Sequence, residues 1–219
     1  MKTYLFDASA AVELYLPGDR RVKNAVSFIC DQKTKFHEAM IYIPSFCIAE
    51  VFNTFAWKHF RPSKDDELLT KADYDECLKN FRDDVHWGRT FYPYELHRYH
   101  IVAADRIIPF EHHFALKDDY KHLSTFDILI IAMACELAYT GIREETYLVT
   151  CDKRMKVVVD KFRNVDLDEL KRTTPLGPLG EIEKRRWFPP ICIDAKNIRQ
   201  VEIESIKLAD QDRIYLEKL

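Results

Sequence analysis

Four acidic residues stand directly after, or near the start of, predicted apolar elements. Asp7 and Asp152 each follow a short apolar run, Glu50 lies on the polar face of a predicted helix, and Asp127 lies in the first turn of another. Carboxylates forced together in a half-buried pocket repel one another unless a cation compensates their charge. If these four side chains converge, they predict a site for a divalent cation.

The ligand chemistry of such a site indicates a reaction class. Hard oxygen ligands favour Mg²⁺ or Mn²⁺, which keep several waters and commonly bridge carboxylates to a substrate phosphate. The five glycines, at positions 18, 88, 141, 177 and 180, form neither G-x-G-x-x-G nor G-x-x-x-x-G-K-[ST]. Phosphate would therefore be handled by side chains or metal ions, and the predicted chemistry is metal-assisted phosphodiester cleavage.

The elements that must position these acids alternate between strand and helix. Strands are predicted at 2–6, 40–43 and 146–150, and helices at 44–60, 94–108, 124–135 and 153–162. We expect Pro109 to interrupt the helix predicted at 94–108, and we consider a short strand at 164–167. This alternation predicts an α/β fold with a parallel central sheet. Because ligands usually bind where the strands of such a sheet end, Asp7 and Asp152 should lie near each other at that edge.

Two regions interrupt this pattern. The polar stretch 61–93 is predicted as a surface helical insertion that ends in a loop at 87–93, within a main domain of residues 1–172. Residues 173–219 are predicted as a C-terminal extension, docked or linker-like, because proline and glycine are concentrated at its start. Within it we predict short strands at 191–193 and 201–206 and a helix at 210–219.

Composition limits the class of protein. With 33 basic and 36 acidic residues among 219, the net charge is −3, so nucleic-acid binding would depend on local basic patches. No apolar run approaches the ~18 residues of a membrane span, so we expect a soluble protein without a membrane partner. The N-terminus does not resemble a signal peptide, and six cysteines without a C-x-x-C pair fit a reducing compartment. We therefore expect a cytoplasmic location.

Four segments, taken in order, resemble the acidic motifs of PIN-domain nucleases: YLFDASA, IPSFCIAEVFN, STFDILIIAMA and LVTCDKRM. The resemblance covers roughly residues 1–170 and implies a three-layer α/β/α fold with a parallel sheet. The family includes VapC-like toxins of toxin–antitoxin pairs and RNA-processing endonucleases. The resemblance thus implies a Mg²⁺- or Mn²⁺-dependent endoribonuclease that leaves 5′-phosphate and 3′-hydroxyl ends. It also implies a homodimer and, for a toxin, an antitoxin protein as partner.

The resemblance also assigns roles to particular residues. The hydroxyls of Ser9 and Thr150 match positions that support the site by hydrogen bonding to the acids or to metal-bound water. The metal-binding acids of the family are matched by Asp7, Glu50, Asp127 and Asp152.

Three further side chains are candidates for substrate binding. Lys153 and Arg154 directly follow Asp152 and could reach a substrate phosphate. Asn53 shares a helical face with Glu50 and either lines the site or faces solvent.

Histidines raise the question of a transition-metal site. His97 and His100 form H-x-x-H, and Glu111, His112 and His113 are consecutive. Neither group has a third ligand with convincing spacing, which favours solvated or core histidines.

Two interpretations compete with a nuclease. Any single acid could serve as a helix N-cap or a salt-bridge partner, and this applies most to Asp127. The PIN-like fold could also serve as an RNA- or protein-binding module with little catalytic activity. Within the nuclease hypothesis, a toxin and a housekeeping RNA-processing enzyme share the same site chemistry.

Overall fold

Strands and helices alternate along the chain, as the sequence predicts. The structure, a computed structural model, describes residues 2–18, 21–34, 39–61, 68–112, 122–140, 145–164 and 190–196. The strands within these ranges are β1 (Lys2–Phe6), β2 (Ala39–Pro44), β3 (Tyr92–Tyr94), β4 (Thr146–Thr150) and β5 (Ile191–Asp194). The helices are α1 (Ala8–Tyr15), α2 (Arg21–Thr34), α3 (Ser45–Phe60), α4 (Lys71–His86), α5 (Arg98–Phe110), α6 (Thr125–Thr140) and α7 (Lys153–Asn164).

The five strands form one parallel sheet in the order β3-β2-β1-β4-β5. Strand β1 is central, with Lys2 opposite Ala39 of β2 and Thr3 opposite Thr146 of β4. The chain runs outward from β1 to β3 and then returns to the other side of β1 for β4 and β5. The carboxyl ends of β1 and β4 therefore lie side by side at the point where the strand order reverses, which is where open α/β sheets bind ligands.

Two groups of helices cover the sheet. Helices α1 to α4 contact one another, and α5, α6 and α7 form a second connected group. The predicted three-layer α/β/α fold with a parallel sheet is confirmed. Helix α6 is apolar on every side over residues 128–135, and Ile131, Met133 and Ala134 are fully buried in it. Burial of side chains as large as Ile or Met stabilises the fold by about 1.5–3 kcal/mol each.

Helix α4 lies inside the predicted insertion 61–93. A capping box begins it, in which the Thr70 hydroxyl and the Asp73 carboxylate each accept the other residue's backbone N–H. Cys77 and Phe81 are buried, and the Phe81 ring packs edge-on against Phe52 with centroids 5.1 Å apart. The helix is present as predicted, but only its polar face belongs to the surface.

Strand β3 replaces part of the predicted loop 87–93. It has three residues and contains Pro93, and it pairs with β2 through Tyr42 and Tyr92. It lies at the edge of the described sheet, where a proline is tolerated because one side of the strand has no ladder to form. The sequence pattern did not predict this strand, because it is short and contains a proline.

A buried lysine holds the turn that precedes β3. Lys33 of α2 donates from Nζ to the carbonyls of Gly88 and Thr90, at 2.8 and 2.9 Å, and lies 3.6 Å from the centre of the Tyr92 ring. Gly88 has a φ of +59°, which glycine adopts without steric cost. Burial lowers the pKa of Lys33 to about 8.

Two predicted boundaries are wrong. Helix α5 begins at Arg98 and continues through Pro109 to Phe110, since a proline so close to the end removes only one helical hydrogen bond. The strand considered at 164–167 begins on Asn164, which is the last residue of α7. Residues 165–167 lie outside the described part of the chain.

The predicted C-terminal extension contributes the fifth strand. Ile191 of β5 lies opposite Tyr147 of β4, and the Ala195 N–H donates to the Thr150 carbonyl at 2.8 Å. The strand predicted at 191–193 is therefore confirmed, and this part of the extension is docked. The elements predicted at 201–206 and 210–219 lie outside the described residues, and the division at residue 172 stays a prediction.

Two observations bear on the environment of the protein. All six cysteines are free thiols, and all except Cys135 are buried. Among the described helices, none combines the length and the apolar character that crossing a bilayer requires.

Candidate metal centre at the carboxyl edge of the sheet

Asp7 is buried at the point where β1 passes into α1. It is the N-cap of α1, and its Oδ1 accepts the Ala10 N–H at 2.8 Å. The Ser9 hydroxyl lies 2.8 Å from both carboxylate oxygens, and the Thr150 hydroxyl donates to Oδ2 at 2.5 Å. Because Thr150 is the last residue of β4, the carboxylate joins the ends of the two central strands.

The environment of Asp7 disfavours its charged form. Burial raises the pKa of Asp7 to about 6, although hydrogen bonds from Thr150, Ala10 and Ser9 act to lower it. The negative charge of Asp127 adds to the increase. Its described hydrogen-bond partners are all neutral groups. A cation bound beside this carboxylate would therefore stabilise it substantially.

The two hydroxyls also fix the chain that follows β4. Ser9 Oγ accepts the Cys151 N–H, and Thr150 Oγ1 accepts the Asp152 N–H, both at 2.9 Å. Each hydroxyl thus links Asp7 to the segment that carries Asp152. The hydrogen bonds to an acid that the resemblance implies for Ser9 and Thr150 are present, and their service to a metal ion stays a prediction.

Asp127 lies in the first turn of α6 and has a structural partner of its own. Its Oδ2 accepts both the N–H and the hydroxyl of Ser124 at 2.8 Å, and the Ser124 hydroxyl accepts the Asp127 N–H at 3.2 Å. The capping role weighed for this residue is therefore real. It leaves Oδ1 with no described hydrogen bond.

Glu50 approaches Asp127 from α3. The Phe46 and Phe126 rings, at the starts of α3 and α6, lie with centroids 5.3 Å apart and bring the two helix ends together. The Glu50 residue is exposed, yet partial desolvation of its carboxyl group raises the pKa of Glu50. The negative charge of Asp127 raises it further. Asp127 also raises the pKa of Asp7, so its charge acts on both of the other two carboxylates.

Asp152 differs from the other three acids because a cation already neutralises it. Nε of Arg154 lies 3.1 Å from both carboxylate oxygens, and Nη2 donates to Oδ2 at 2.5 Å. Burial acts to raise the pKa of Asp152, but the hydrogen bonds from Arg154 outweigh it and the pKa is lowered. The predicted phosphate contact at Arg154 would require this ion pair to open, whereas Lys153 and Asn53 are exposed.

The chemistry of the donors fits a hydrated Mg²⁺ or Mn²⁺ ion. Asp7, Glu50 and Asp127 offer only carboxylate oxygen, and Asp7 has no cationic partner in the described part of the chain. No three of the four acids bring their oxygens within 4.8 Å of one another among the described residues. Because Mg²⁺ usually binds through one or two carboxylates and keeps several waters, this open spacing suits it better than a fully dehydrated ion.

A second group of possible ligands was identified only in part from the sequence, where Glu111 and His112 were considered with His113 and set aside, and His122 was not considered. Glu111, His112 and His122 place their ligand atoms within 4.8 Å of one another. His122 stands ten positions after His112, so no spacing rule pointed to it, and His113 lies outside the described residues. His100, by contrast, is a core histidine as expected, buried against Glu136.

A scan against models of protein families and a search of curated protein sequences both find no match to this chain. The likeness to PIN-domain nucleases therefore depends on the four ordered motifs and on the arrangement of their acids, and it stays a prediction.

Proposed function

We propose that this protein is a Mg²⁺- or Mn²⁺-dependent endoribonuclease that acts at the carboxyl edge between β1 and β4. The observation that carries the proposal is the position of Asp7. This buried acid is tied to Thr150 where the strand order reverses, Asp127 lies close enough to raise its pKa, and Asp127 also raises the pKa of Glu50. Asp7, Glu50 and Asp127 would hold the ion, which when bound would neutralise phosphate charge and make a water molecule more acidic.

The protein's own groups have distinct tasks in this reaction. Ser9 and Thr150 keep the Asp7 carboxylate in one orientation, because both hydroxyls donate to it while accepting backbone N–H groups themselves. Lys153 is exposed directly beside the acids and would attract the RNA backbone. Arg154 would exchange Asp152 for a phosphate oxygen when the strand is bound, since its planar guanidinium suits both anions.

The sharpest test uses Glu50→Gln. This side chain is exposed, so the change should leave the fold intact while removing one charge from the site. We expect the cleavage rate of single-stranded and structured RNAs to fall on the order of 100-fold, in Mg²⁺ or Mn²⁺, with EDTA abolishing the wild-type reaction. Glu76→Gln, on the exposed face of α4, is the matched control and should cleave normally. Equal cleavage by wild type, Glu50→Gln and Asp7→Asn would refute the proposal.

One observation favours a second candidate function, a PIN-like RNA- or protein-binding module without catalysis. The Arg154–Asp152 ion pair neutralises the fourth acid with no divalent ion. Calorimetry separates the two functions: tight RNA binding without Mg²⁺ or Mn²⁺ binding would favour the module.

The partners remain part of the same proposal. A toxin would arrest growth on expression, Asp127→Asn would relieve the arrest, and an antitoxin protein would bind the chain. A homodimer is expected and can be measured by gel filtration with light scattering. We also propose a cytoplasmic location, with which six free thiols agree.

A further inference from the structure

Glu111, at the end of α5, is a buried acid, and one of its carboxylate oxygens has no hydrogen-bond partner among the described residues. The residue is fully buried, and its Oε1 accepts the Leu123 N–H at 3.0 Å. Its Oε2 is also buried and has no hydrogen-bond partner among the described residues. Leaving a buried oxygen without a partner is unfavourable, and more so when the oxygen carries charge, so a cation is the partner that this oxygen would favour.

Two histidine nitrogens lie at the spacing that a metal ion would use. Nδ1 of His122 forms a hydrogen bond with Oε1 of Glu111 at 2.9 Å, and Nε2 of His112 is 3.5 Å from Oε2. When tetrahedral bonds are about 2.0–2.1 Å long, neighbouring ligand atoms are about 3.3 Å apart. The two imidazole rings stack with centroids 4.1 Å apart and the three ligand atoms lie within 4.8 Å of one another, so rotation of the two exposed rings would bring both nitrogens to a common ion.

We propose that Glu111, His112 and His122 form a transition-metal site, separate from the carboxyl-edge acids, that takes Zn²⁺. Two imidazoles and one carboxylate suit Zn²⁺ far better than Mg²⁺, which prefers oxygen alone. The histidine side chains are more than half exposed, at 57% and 53%, so an ion can enter and a water can occupy the fourth position.

The site has a consequence for the neighbouring edge. The His122 carbonyl accepts a hydrogen bond from Nη1 of Arg154 at 3.4 Å, and Arg154 in turn binds Asp152. Zn²⁺ bound to His122 would therefore also anchor the Arg154–Asp152 pair. It would tie the end of α5 to the residues that precede α6.

The test titrates ZnCl₂ into the full chain after EDTA treatment and dialysis, followed by calorimetry. We expect one Zn²⁺ to bind per chain, and His122→Ala and His112→Ala each to weaken binding on the order of 100-fold or more. His86→Ala removes an exposed histidine from the end of α4 and is the matched control. Asp7→Asn should also bind Zn²⁺ normally, which separates this site from the carboxyl-edge acids.

Two further measurements guard against a folding artefact. Cobalt(II) should give a visible absorption band with wild type that both histidine variants lose, while their circular dichroism stays native. Zn²⁺ should raise the unfolding temperature of wild type but not of His122→Ala. Absence of Zn²⁺ binding by wild type, or unchanged affinity in His112→Ala and His122→Ala, would overturn the proposal.

Discussion

Replacing Asp7 with asparagine should change how the stability of the protein depends on pH. Burial raises the pKa of Asp7 from its ordinary value of 3.8 to about 6. The folded protein therefore binds this proton more tightly than the unfolded chain does, and the free energy of unfolding falls as the pH rises from about 4 to above 6. A difference of roughly two pKa units corresponds to about 3 kcal/mol.

The side chain introduced by Asp7→Asn cannot titrate, so the variant lacks this contribution. The amide oxygen of the asparagine can still accept the Ala10 N–H, while its NH₂ group faces the hydroxyls of Ser9 and Thr150. The changed contacts with the hydroxyls should lower the free energy of unfolding by about 1 kcal/mol, equally at every pH. Between pH 4.5 and 7.5 the stability of wild type should fall by about 2 kcal/mol relative to the variant. Comparing the two proteins removes the titrations that they share.

The assay is urea unfolding followed by circular dichroism at pH 4.5, 5.5, 6.5 and 7.5, with EDTA present throughout. Repeating the pH 7.5 measurement with Mg²⁺ should stabilise wild type more than the variant, because the ion favours the ionised carboxylate. Parallel stability curves for the two proteins across this pH range would refute the argument that Asp7 is held in an environment hostile to its charge.

Two other substitutions test contacts around the sheet. Arg154→Gln should raise the pKa of Asp152, because the hydrogen bonds from Arg154 that lower this pKa are lost. NMR titration of the Asp152 carboxyl carbon measures the pKa. An unchanged pKa would contradict the ion pair between the two residues. Lys33→Met should destabilise the protein by roughly 1–3 kcal/mol in urea unfolding, because the Gly88 and Thr90 carbonyls lose their donor. Lys79→Met, at an exposed position of α4, is its control, and equal stability of the two variants would show that the buried lysine contributes nothing.

The central strands could be predicted because buried parallel strands consist of continuous apolar residues. The runs 2–6 and 146–150 have this pattern and became β1 and β4 without a change of boundary. Strand β3 has only three residues, one of them Pro93, and depends on pairing with β2, which no local pattern encodes. The effect of Pro109 could not be predicted either, because it depends on where α5 ends.

Some contacts of the candidate site could likewise be predicted from the sequence, and others could not. Ser9 and Thr150 stand two residues from an acid, and the hydrogen bonds of both to Asp7 follow once β1 and β4 are placed side by side. The pairing of Arg154 with Asp152 was missed because an arginine beside an acid can bind either that acid or a phosphate. His122 meets Glu111, eleven positions earlier, only in the folded protein, and no spacing rule relates the two residues.

The position of β1 also determines when the candidate site can form during synthesis. The hydrogen bond between Asp7 and Thr150 joins residues 143 positions apart. At about 5–20 residues per second, a ribosome needs roughly 7–30 s to make that stretch. Once β2 has been made, β1 can pair with it, but the other edge of β1 has no strand to bind until β4 follows. The nascent chain therefore carries an open, apolar strand edge, the kind of surface that chaperones protect, and it gains its acidic centre only after β4 has been made.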